Sequence, residues 1–307
     1  MSSRSRKGSY AAPLRSITSL RQSETGRHPK PARRGVSVVR LRASYSGCLD
    51  VKILDSKRSP DRFFAALRAA PTRLLVLDYD GTLAPFVAHA KEAVLYPQVD
   101  ALLSEARAQG TILAFISGRP ARDLAARLPF TDIDIFGAHG QEYLAASGQF
   151  RLSPLSAVVV AALKDIEVRI EAAGFSSAIE RKHGTVAVHW RGLNERERQA
   201  LQTLCASIET SLIADIEPLS FDGGYEFRVK GRDKGSALRE LLIRYPDALV
   251  AYLGDDLTDE DAFGALPVAG LGVLVRSELR ATRAHLWLEP PEDLRTFLSM
   301  WIRAITP

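Results

Sequence analysis

Short apolar runs alternate with amphipathic stretches along the chain from residue 61 onward. The runs at Arg73–Leu77 (RLLVL), Thr111–Ile116 (TILAFI) and Ile133–Phe136 predict buried strands. The stretches at Pro97–Gln109 and Pro120–Leu128 carry apolar residues at helical spacing and predict helices. Strand–helix–strand alternation of this kind is typical of a parallel sheet covered by helices on both faces.

The pattern changes between residues 146 and 221. Two amphipathic stretches, Ser156–Ala173 and Asn194–Thr210, predict helices. Short strands are expected at Ser177–Glu180, Thr185–His189 and Leu212–Ile216. This order predicts a small α+β unit inserted into the parallel-sheet domain.

The first pattern returns after Gly224. It predicts strands at Tyr225–Val229, Leu249–Leu253 and Leu271–Val275, and helices at Asp233–Tyr245 and Glu292–Ala304. The expected organisation is a leader over residues 1–59, a core over 60–145 and 222–307, and a cap over 146–221.

The charge of the chain is unevenly distributed, and this changes how its net value of +5 is interpreted. Residues 1–49 contain eleven Lys/Arg and one acid, so they carry about +10 and leave about −5 for residues 50–307. A Ser/Arg-rich segment with so little apolar periodicity is expected to be a disordered leader. It also resembles an organellar transit peptide, and that alternative stays open.

Composition also limits the partners and the compartment. The two cysteines, Cys48 and Cys205, have no CxxC spacing, so neither a disulfide framework nor a zinc site is supported, and we expect a cytoplasmic protein. No apolar run approaches the ~20 residues of a membrane span. Charge without an aromatic or fold signal does not indicate nucleic-acid binding. The sequence indicates no oligomeric state.

Two acidic motifs follow predicted strands. Asp78-Tyr79-Asp80-Gly81-Thr82 comes directly after RLLVL, and Gly254-Asp255-Asp256 comes after Leu249–Leu253. In an open α/β sheet, chemistry takes place beyond the carboxyl ends of the strands. Carboxylates from two such ends, together with a substrate phosphate, suit the oxygen preference of Mg²⁺.

Two further motifs suit the binding of a phosphate group. Ser117-Gly118-Arg119 follows the strand TILAFI and offers a hydroxyl and backbone N–H groups, although Ser117 could serve only as a helix cap. Lys234 lies at the start of a predicted helix, where a positive charge is unfavourable for the helix dipole. The acids Asp259, Glu260 and Asp261 are interpreted as charges favoured at a helix N-terminus.

These motifs, in this order and at strand ends, resemble those of the haloacid dehalogenase-like phosphatases. Within that superfamily, DYDGTLAP, SGRP, GAHG (Gly137–Gly140) and GDDLTDEDAF (Gly254–Phe263) are similar to the trehalose-phosphate phosphatase family. ERK at Glu180–Lys182 followed by HWR at His189–Arg191 resembles its cap signature, and Glu226-Phe227-Arg228 its ExR segment. Val229-Lys230 stands where that family usually has proline.

The resemblance implies a fold and a set of roles. The fold is a Rossmann-like α/β core of the haloacid dehalogenase type with an inserted α+β cap. The implied catalytic residues are Asp78 as nucleophile, Asp80 as acid and base, and Lys234. The implied Mg²⁺ ligands are Asp78, the carbonyl of Asp80 and Asp255, with Asp256 holding Lys234 or a metal-bound water. The implied substrate-binding residues are Thr82, Ser117, Gly118, Arg119, Glu180, Lys182, His189, Arg191 and Glu226.

The expected activity is hydrolysis of trehalose 6-phosphate, a small-molecule partner, to trehalose and phosphate through an aspartyl phosphate. Two alternatives remain open at this point. One is a phosphatase of another sugar phosphate, such as sucrose 6-phosphate or glucosylglycerol phosphate. The other is a non-catalytic sugar-phosphate sensor, which the intact Asp78, Asp80, Lys234 and Asp255 argue against. His189 and Arg191 could contact the sugar or only organise the cap.

Overall fold

The computed structural model describes residues 37–43, 47–55, 59–87, 92–221 and 223–306, with backbone alone for 37–43 and 47–51. Residues 1–36 of the expected leader lie outside this range. No helix among the described residues has the length and apolarity needed to cross a bilayer.

Within the described residues, fourteen strands form two sheets. They are β1 (Ser37–Ala43), β2 (Gly47–Ile53), β3 (Thr72–Leu77), β4 (Thr111–Ile116), β5 (Asp134–Gly137), β6 (Glu142–Leu144), β7 (Phe150–Leu152), β8 (Ile179–Lys182), β9 (Thr185–His189), β10 (Ile216–Phe221), β11 (Gly224–Val229), β12 (Ala248–Gly254), β13 (Leu271–Val275) and β14 (Leu286–Leu288).

Eight α-helices accompany these strands in the described part of the chain. They are α1 (Pro60–Ala69), α2 (Val99–Ala108), α3 (Ala121–Ala125), α4 (Ala157–Ala172), α5 (Glu195–Glu209), α6 (Lys234–Arg244), α7 (Asp259–Ala265) and α8 (Glu292–Ile305).

The larger sheet has ten strands in the order β1-β2-β14-β13-β12-β3-β4-β5-β6-β7. Its centre, from β14 to β5, is parallel, and the strands at both edges are antiparallel. Two hydrophobic clusters cover its faces, one built on α1, α2 and α8 and the other on α6 and α7. The predicted parallel α/β core is therefore confirmed.

The smaller sheet is antiparallel, in the order β10-β11-β9-β8. Helices α4 and α5 pack on one face and share a hydrophobic cluster with Val186, Val188 and Phe227. Because side chains alternate along a strand, Ala187 and Glu226 point to the opposite face. The cap therefore has one face for its own core and one face for other contacts.

Three expectations from the sequence are wrong. The leader does not extend to residue 59, because β1 and β2 form a hairpin and β2 pairs with β14. The strand β11 belongs to the smaller sheet and not to the core, because its backbone pairs with β9 and β10. Leu212–Ile216 is not a strand, since β10 begins only at Ile216.

The residues that replace the family's proline have a local role. The backbone N–H of Val229 donates to the carbonyl of Gly184 at 2.9 Å, and that of Lys230 donates to Asp215 at 2.8 Å. Proline has no N–H to donate. The first of these two bonds, made by the residue directly after Arg228, would be lost if proline stood at position 229.

Candidate active site

The central strands bring the predicted motifs to one edge of the larger sheet. In the parallel register, Leu77 of β3 lies beside Leu253 of β12 and Phe115 of β4. Asp78, Asp255 and Ser117 follow these strand ends, and each is almost completely buried. The structure therefore brings together the three motifs that the sequence placed after strands.

Lys234 is the cation of this centre. Its Nζ lies 2.9 Å from Asp78 Oδ1 and 2.8 Å from Asp259 Oδ1. Burial alone would lower the pKa of Lys234, but the charges of Asp259 and Asp78 outweigh it and raise that pKa. Lys234 is therefore a buried, permanently charged ammonium beside the predicted nucleophile.

The partner of Lys234 corrects a prediction. Asp259, not Asp256, holds the lysine; the carboxylate of Asp256 instead accepts the backbone N–H of Leu257 at 2.7 Å. Asp259 is fully buried and also accepts from the hydroxyl of Tyr252. Asp259 does lie in the first turn of α7, as the sequence predicted, but its buried contacts with Lys234 and Tyr252 give it a second role that the sequence analysis did not predict.

The carboxylates of Asp78, Asp255 and Asp259 form a compact group. One oxygen of each lies within 4.8 Å of the others. Burial raises the pKa of Asp78 to about 7 even though Lys234 pulls it down, and burial and the charge of Asp78 raise that of Asp255. The ammonium of Lys234 contacts Asp78 and Asp259, so Asp255 is a third buried carboxyl group in the cluster beside a single positive charge. Such an oxygen-rich, anionic donor set fits a hard divalent cation.

Glycines allow this close packing. Gly81 has a φ of +83°, and a Cβ there would lie 2.3 Å from Asp255 Oδ2. A Cβ on Gly254 would lie 2.3 Å from Cγ of Asp259. Thr82 completes the turn: its Oγ1 donates to the carboxylates of Asp78 at 3.3 Å or Asp255 at 3.4 Å. The two acidic loops are therefore in direct contact.

The side chain of Asp80 lies apart from this acidic group. Arg119 makes a bidentate ion pair with it, with two N–O distances of 2.6 Å. Asp123 in turn contacts Arg119 at 3.2 Å. Burial works against the charged form of Arg119, but the bonds to Asp80 prevail and raise its pKa. The predicted acid–base group and one predicted substrate-binding residue are thus paired with each other.

Strand register collects the predicted cap residues on the free face of the smaller sheet. Glu180, Ala187 and Glu226 are neighbours across β8, β9 and β11, and Lys182, Thr185 and Arg228 form the next row. His189 Nε2 lies 2.9 Å from Glu180 Oε2, and Lys182 Nζ lies 3.4 Å from the same oxygen.

Burial would raise the pKa of Glu180, but the hydrogen bond with His189 and the charge of Lys182 outweigh it and lower that pKa to about 2. Arg191 is exposed and packs against Gly223, so it lies at the margin of this group.

His139 lies between Glu226 of the smaller sheet and the loop of the larger sheet that carries Gly118. The imidazole ring packs so closely on Gly118 that a Cβ added to that glycine would lie 2.8 Å from the ring. On its other side, Nε2 of His139 lies 3.4 Å from Glu226 Oε2. Burial, then the charges of Lys182 and Lys234, lower the pKa of His139 well below its usual value. The imidazole is therefore neutral, and its contact with Glu226 is not an ion pair.

Four buried polar atoms near this junction have no hydrogen-bond partner among the described residues: His139 Nδ1, Gln141 Oε1, Glu226 Oε1 and Arg228 Nη1. A buried polar atom without a partner costs free energy. A ligand rich in hydroxyl groups could satisfy such donors and acceptors.

Sequence reasoning missed four residues of the site: Asp259, His139, Gln141 and Arg228. The period-2 alternation Glu226-Phe227-Arg228 was a usable signal, because it places Arg228 on the same face as Glu226. No sequence pattern indicated that Gln141 would belong to the site.

The fold and this centre define the class: a Rossmann-like α/β protein of the haloacid dehalogenase type, with carboxylates and a lysine at the carboxyl edge of its parallel sheet. The model of the family described as trehalose-phosphatase matches residues 76–283, and the chain belongs to that family.

Individual relatives agree with this assignment. A trehalose-phosphate phosphatase of Mycobacterium tuberculosis is 30% identical over 244 residues, which cover 74% of this chain and 61% of that protein. An uncharacterized glycosyl hydrolase of the same species is 30% identical over 248 residues, or 73% of this chain and 18% of that protein. The chain thus spans less than two thirds of the length of these relatives.

Among solved structures, the C-terminal domain of a Candida albicans trehalose-6-phosphate phosphatase has the same fold. Its TM-score is 0.64 at 19% identity, covering 80% of this chain and 96% of that one.

Proposed function

We propose that this chain is a magnesium-dependent phosphatase that hydrolyses trehalose 6-phosphate to trehalose and phosphate. The observation that carries the proposal is the contact of Lys234 with both Asp78 and Asp259, beside Asp255 and Thr82, at the carboxyl ends of β3 and β12. This centre offers a nucleophile, a fixed positive charge and oxygen ligands for a cation within one buried site.

Asp78 is proposed as the nucleophile. One of its oxygens attacks phosphorus and the bond from phosphorus to the sugar oxygen breaks. Asp80, which has first taken up a proton from solvent, gives that proton to the sugar oxygen. Asp80 then removes a proton from a water that attacks the aspartyl phosphate, which releases phosphate and restores Asp78. Before donating, Asp80 has to leave its ion pair with Arg119. We propose that the arriving substrate oxygens draw Arg119 away.

Positive charge and hydrogen-bond donors meet the phosphate oxygens. Lys234, Thr82, the hydroxyl of Ser117 and the backbone N–H of Gly118 are proposed to hold them. Asp78 and Asp255, with the carbonyl of Asp80, are proposed to hold Mg²⁺. A bound Mg²⁺ would neutralise negative charge on the phosphoryl group and orient that group for attack.

The free face of the smaller sheet is proposed to select the sugar. Glu180, Lys182, His189 and Glu226 lie on that face, with Arg191 at its margin, and Glu226 reaches His139 in the core. The proposed division is a core that contains β1 to β7 and β12 to β14, around a cap that contains β8 to β11. A cytoplasmic location stays a prediction.

The test of activity is phosphate release from a panel of sugar phosphates. Trehalose 6-phosphate should have the highest kcat/KM, above sucrose 6-phosphate and glucosylglycerol phosphate, and a chelator should abolish turnover. A better substrate within the panel would contradict the sugar assignment. No turnover of any sugar phosphate would favour the non-catalytic sensor.

The test of specificity uses two substrates on the same variants. Glu180→Ala and Lys182→Ala should lower kcat/KM for trehalose 6-phosphate by ~10- to 1000-fold, because each removes a partly buried hydrogen-bonding group. Turnover of p-nitrophenyl phosphate, which contains no sugar, should change little. Lys164→Ala, on the exposed face of α4, is the control. Equal losses on both substrates would mean that these residues only hold the cap together.

A further inference from the structure

The loop between β13 and β14, residues 276–285, contacts the loop that carries Asp255. Its residue Arg280 is mostly buried, with 16% of its side chain exposed. The guanidinium donates from Nε to the backbone carbonyl of Asp255 at 3.2 Å and from Nη2 to that of Asp256. Arg276 adds a donor to the carbonyl of Asp255 at 3.3 Å. One side chain thus holds two successive carbonyl groups of the acidic loop.

The same two residues are held from the other side through their N–H groups. Asp259 Oδ2 accepts the backbone N–H of Asp255 at 3.1 Å and that of Asp256 at 2.9 Å. The backbone at Asp255 and Asp256 is therefore hydrogen-bonded on both sides, to Asp259 inside the centre and to Arg280 outside it. This arrangement leaves Asp255 little freedom beyond rotation of its own side chain.

Arg280 has its own support. Its Nη1 makes an ion pair with Glu260 in the first turn of α7 and donates to the carbonyl of Ala281 at 2.8 Å. The second carboxylate oxygen of Glu260 accepts the backbone N–H of Arg283 at 2.7 Å. Glu260 therefore fixes both the guanidinium and the backbone of the loop that presents it.

We propose that Arg280 is a positioning residue that sets the affinity of the site for its divalent cation. The proposal rests on the proposed function, in which Asp255 is a metal ligand. Arg280 would act through the backbone, because it binds the carbonyl groups of Asp255 and Asp256 and so fixes the position from which the Asp255 carboxylate projects. Groups that orient a ligand from outside its coordination sphere typically change metal affinity by about 10- to 100-fold when they are removed.

The experiment measures Mg²⁺ binding to the full chain by calorimetry, without substrate. Arg280→Ala should raise the dissociation constant for Mg²⁺ by about 10- to 100-fold. Arg280→Lys should give an intermediate rise, because an ammonium cannot contact both carbonyls in the planar geometry of a guanidinium. In turnover assays, added Mg²⁺ should restore much of the lost kcat of both variants.

Arg283→Ala is the matched control. This substitution removes a guanidinium from the same loop but keeps the backbone N–H that donates to Glu260. The dissociation constant of this variant for Mg²⁺ should therefore stay within about twofold of the parent value. Circular dichroism establishes that each variant is folded at the temperature of the titration. If Arg280→Ala does not fold, Arg280→Lys decides the matter.

Two results would overturn the proposal. One is a folded Arg280 variant whose dissociation constant for Mg²⁺ equals that of the parent protein, when the parent protein does bind Mg²⁺. The other is an equal loss of affinity in Arg283→Ala. A parent protein that binds no Mg²⁺ contradicts the magnesium assignment of the proposed function itself, and this proposal with it. Sugar-phosphate turnover by the parent then shows whether the phosphatase assignment survives.

Discussion

Lys234 is shared between Asp78 and Asp259, with its Nζ 2.9 Å from one carboxylate and 2.8 Å from the other. Asp255 adds a third buried carboxylate to the group. Each of these side chains has lost its hydration, so the ammonium compensates for only part of the cost of their burial. The residues that are proposed to perform the chemistry are therefore, as a group, a source of instability.

Asp78→Asn should separate stability from turnover. The pKa of Asp78 in the folded protein, about 7, lies above its usual value of 3.8, so the folded state favours the uncharged form. At higher pH the ionised carboxylate therefore destabilises the folded protein. The uncharged amide removes this effect. At pH 8 without metal, the variant should melt at the same temperature as the parent protein or higher.

Turnover by the same variant should fall by about 10³-fold or more, because an amide is a poor nucleophile. Asp61→Asn, in the exposed first turn of α1, controls for the substitution itself. Substantial phosphate release by pure Asp78→Asn would reject Asp78 as the nucleophile.

At the scale of elements, alternation in short strands determines which side chains meet. Three strands of the smaller sheet each contribute to one polar face, and their register places Glu180 beside the strand that carries His189. The resulting contacts of Glu180 with His189 and Lys182 tie β8 to β9 through side chains as well as backbone.

The pH dependence of stability should report these contacts. The folded pKa of Glu180, about 2, lies below its usual value of 4.5, so its ionised form adds stability above pH 4.5 that is lost as pH falls toward 2. The melting temperatures of the parent protein and Glu180→Gln should therefore differ most above pH 4.5 and converge near pH 2. A difference that stays constant over this range would mean that Glu180 is not held in these contacts.

Sequence patterns predicted the elements whose signal is local. Strand β13 was predicted with its observed ends, because its four apolar residues and Gly272 form a short run between Gly270 and Arg276. The pairing of β11 was not predicted, because the alternation Glu226-Phe227-Arg228 fits either sheet and only long-range pairing decides between them. The role of Asp259 was missed for a similar reason: its partner Lys234 is 25 residues away in the sequence.

At the scale of the molecule, the hairpin of β1 and β2 extends the larger sheet beyond its parallel strands. Ile53 and Lys52 of β2 pair with Leu286 and Trp287 of β14. The charge of the surrounding leader concealed these strands, although Val39 and Leu41 alternate with Arg40 and Arg42. Composition describes a whole segment, whereas strand formation depends on the order of residues within it.

Two truncations test this arrangement. Removal of residues 1–53 should lower the melting temperature and promote aggregation, because it leaves the backbone of β14 unpaired at the edge of the sheet. Removal of residues 1–36 keeps both strands and should leave melting temperature and turnover nearly unchanged. Equal stability of the two truncated proteins would show that the hairpin contributes nothing to the core.

The insertion of the smaller sheet between two parts of the larger one has a consequence for how the protein is made. Strand β3 pairs with β12, and Leu77 lies beside Leu253, so the centre of the larger sheet closes only after the chain between them has been synthesised. In the smaller sheet, β8 and β9 form one hairpin and β10 and β11 another, and the chain between the two hairpins contains α5. These pairings close much smaller loops than the pairing of β3 with β12, so their entropic cost is lower. On the ribosome, the inserted unit should therefore be folded before Asp78 and Lys234 first contact a completed acidic loop.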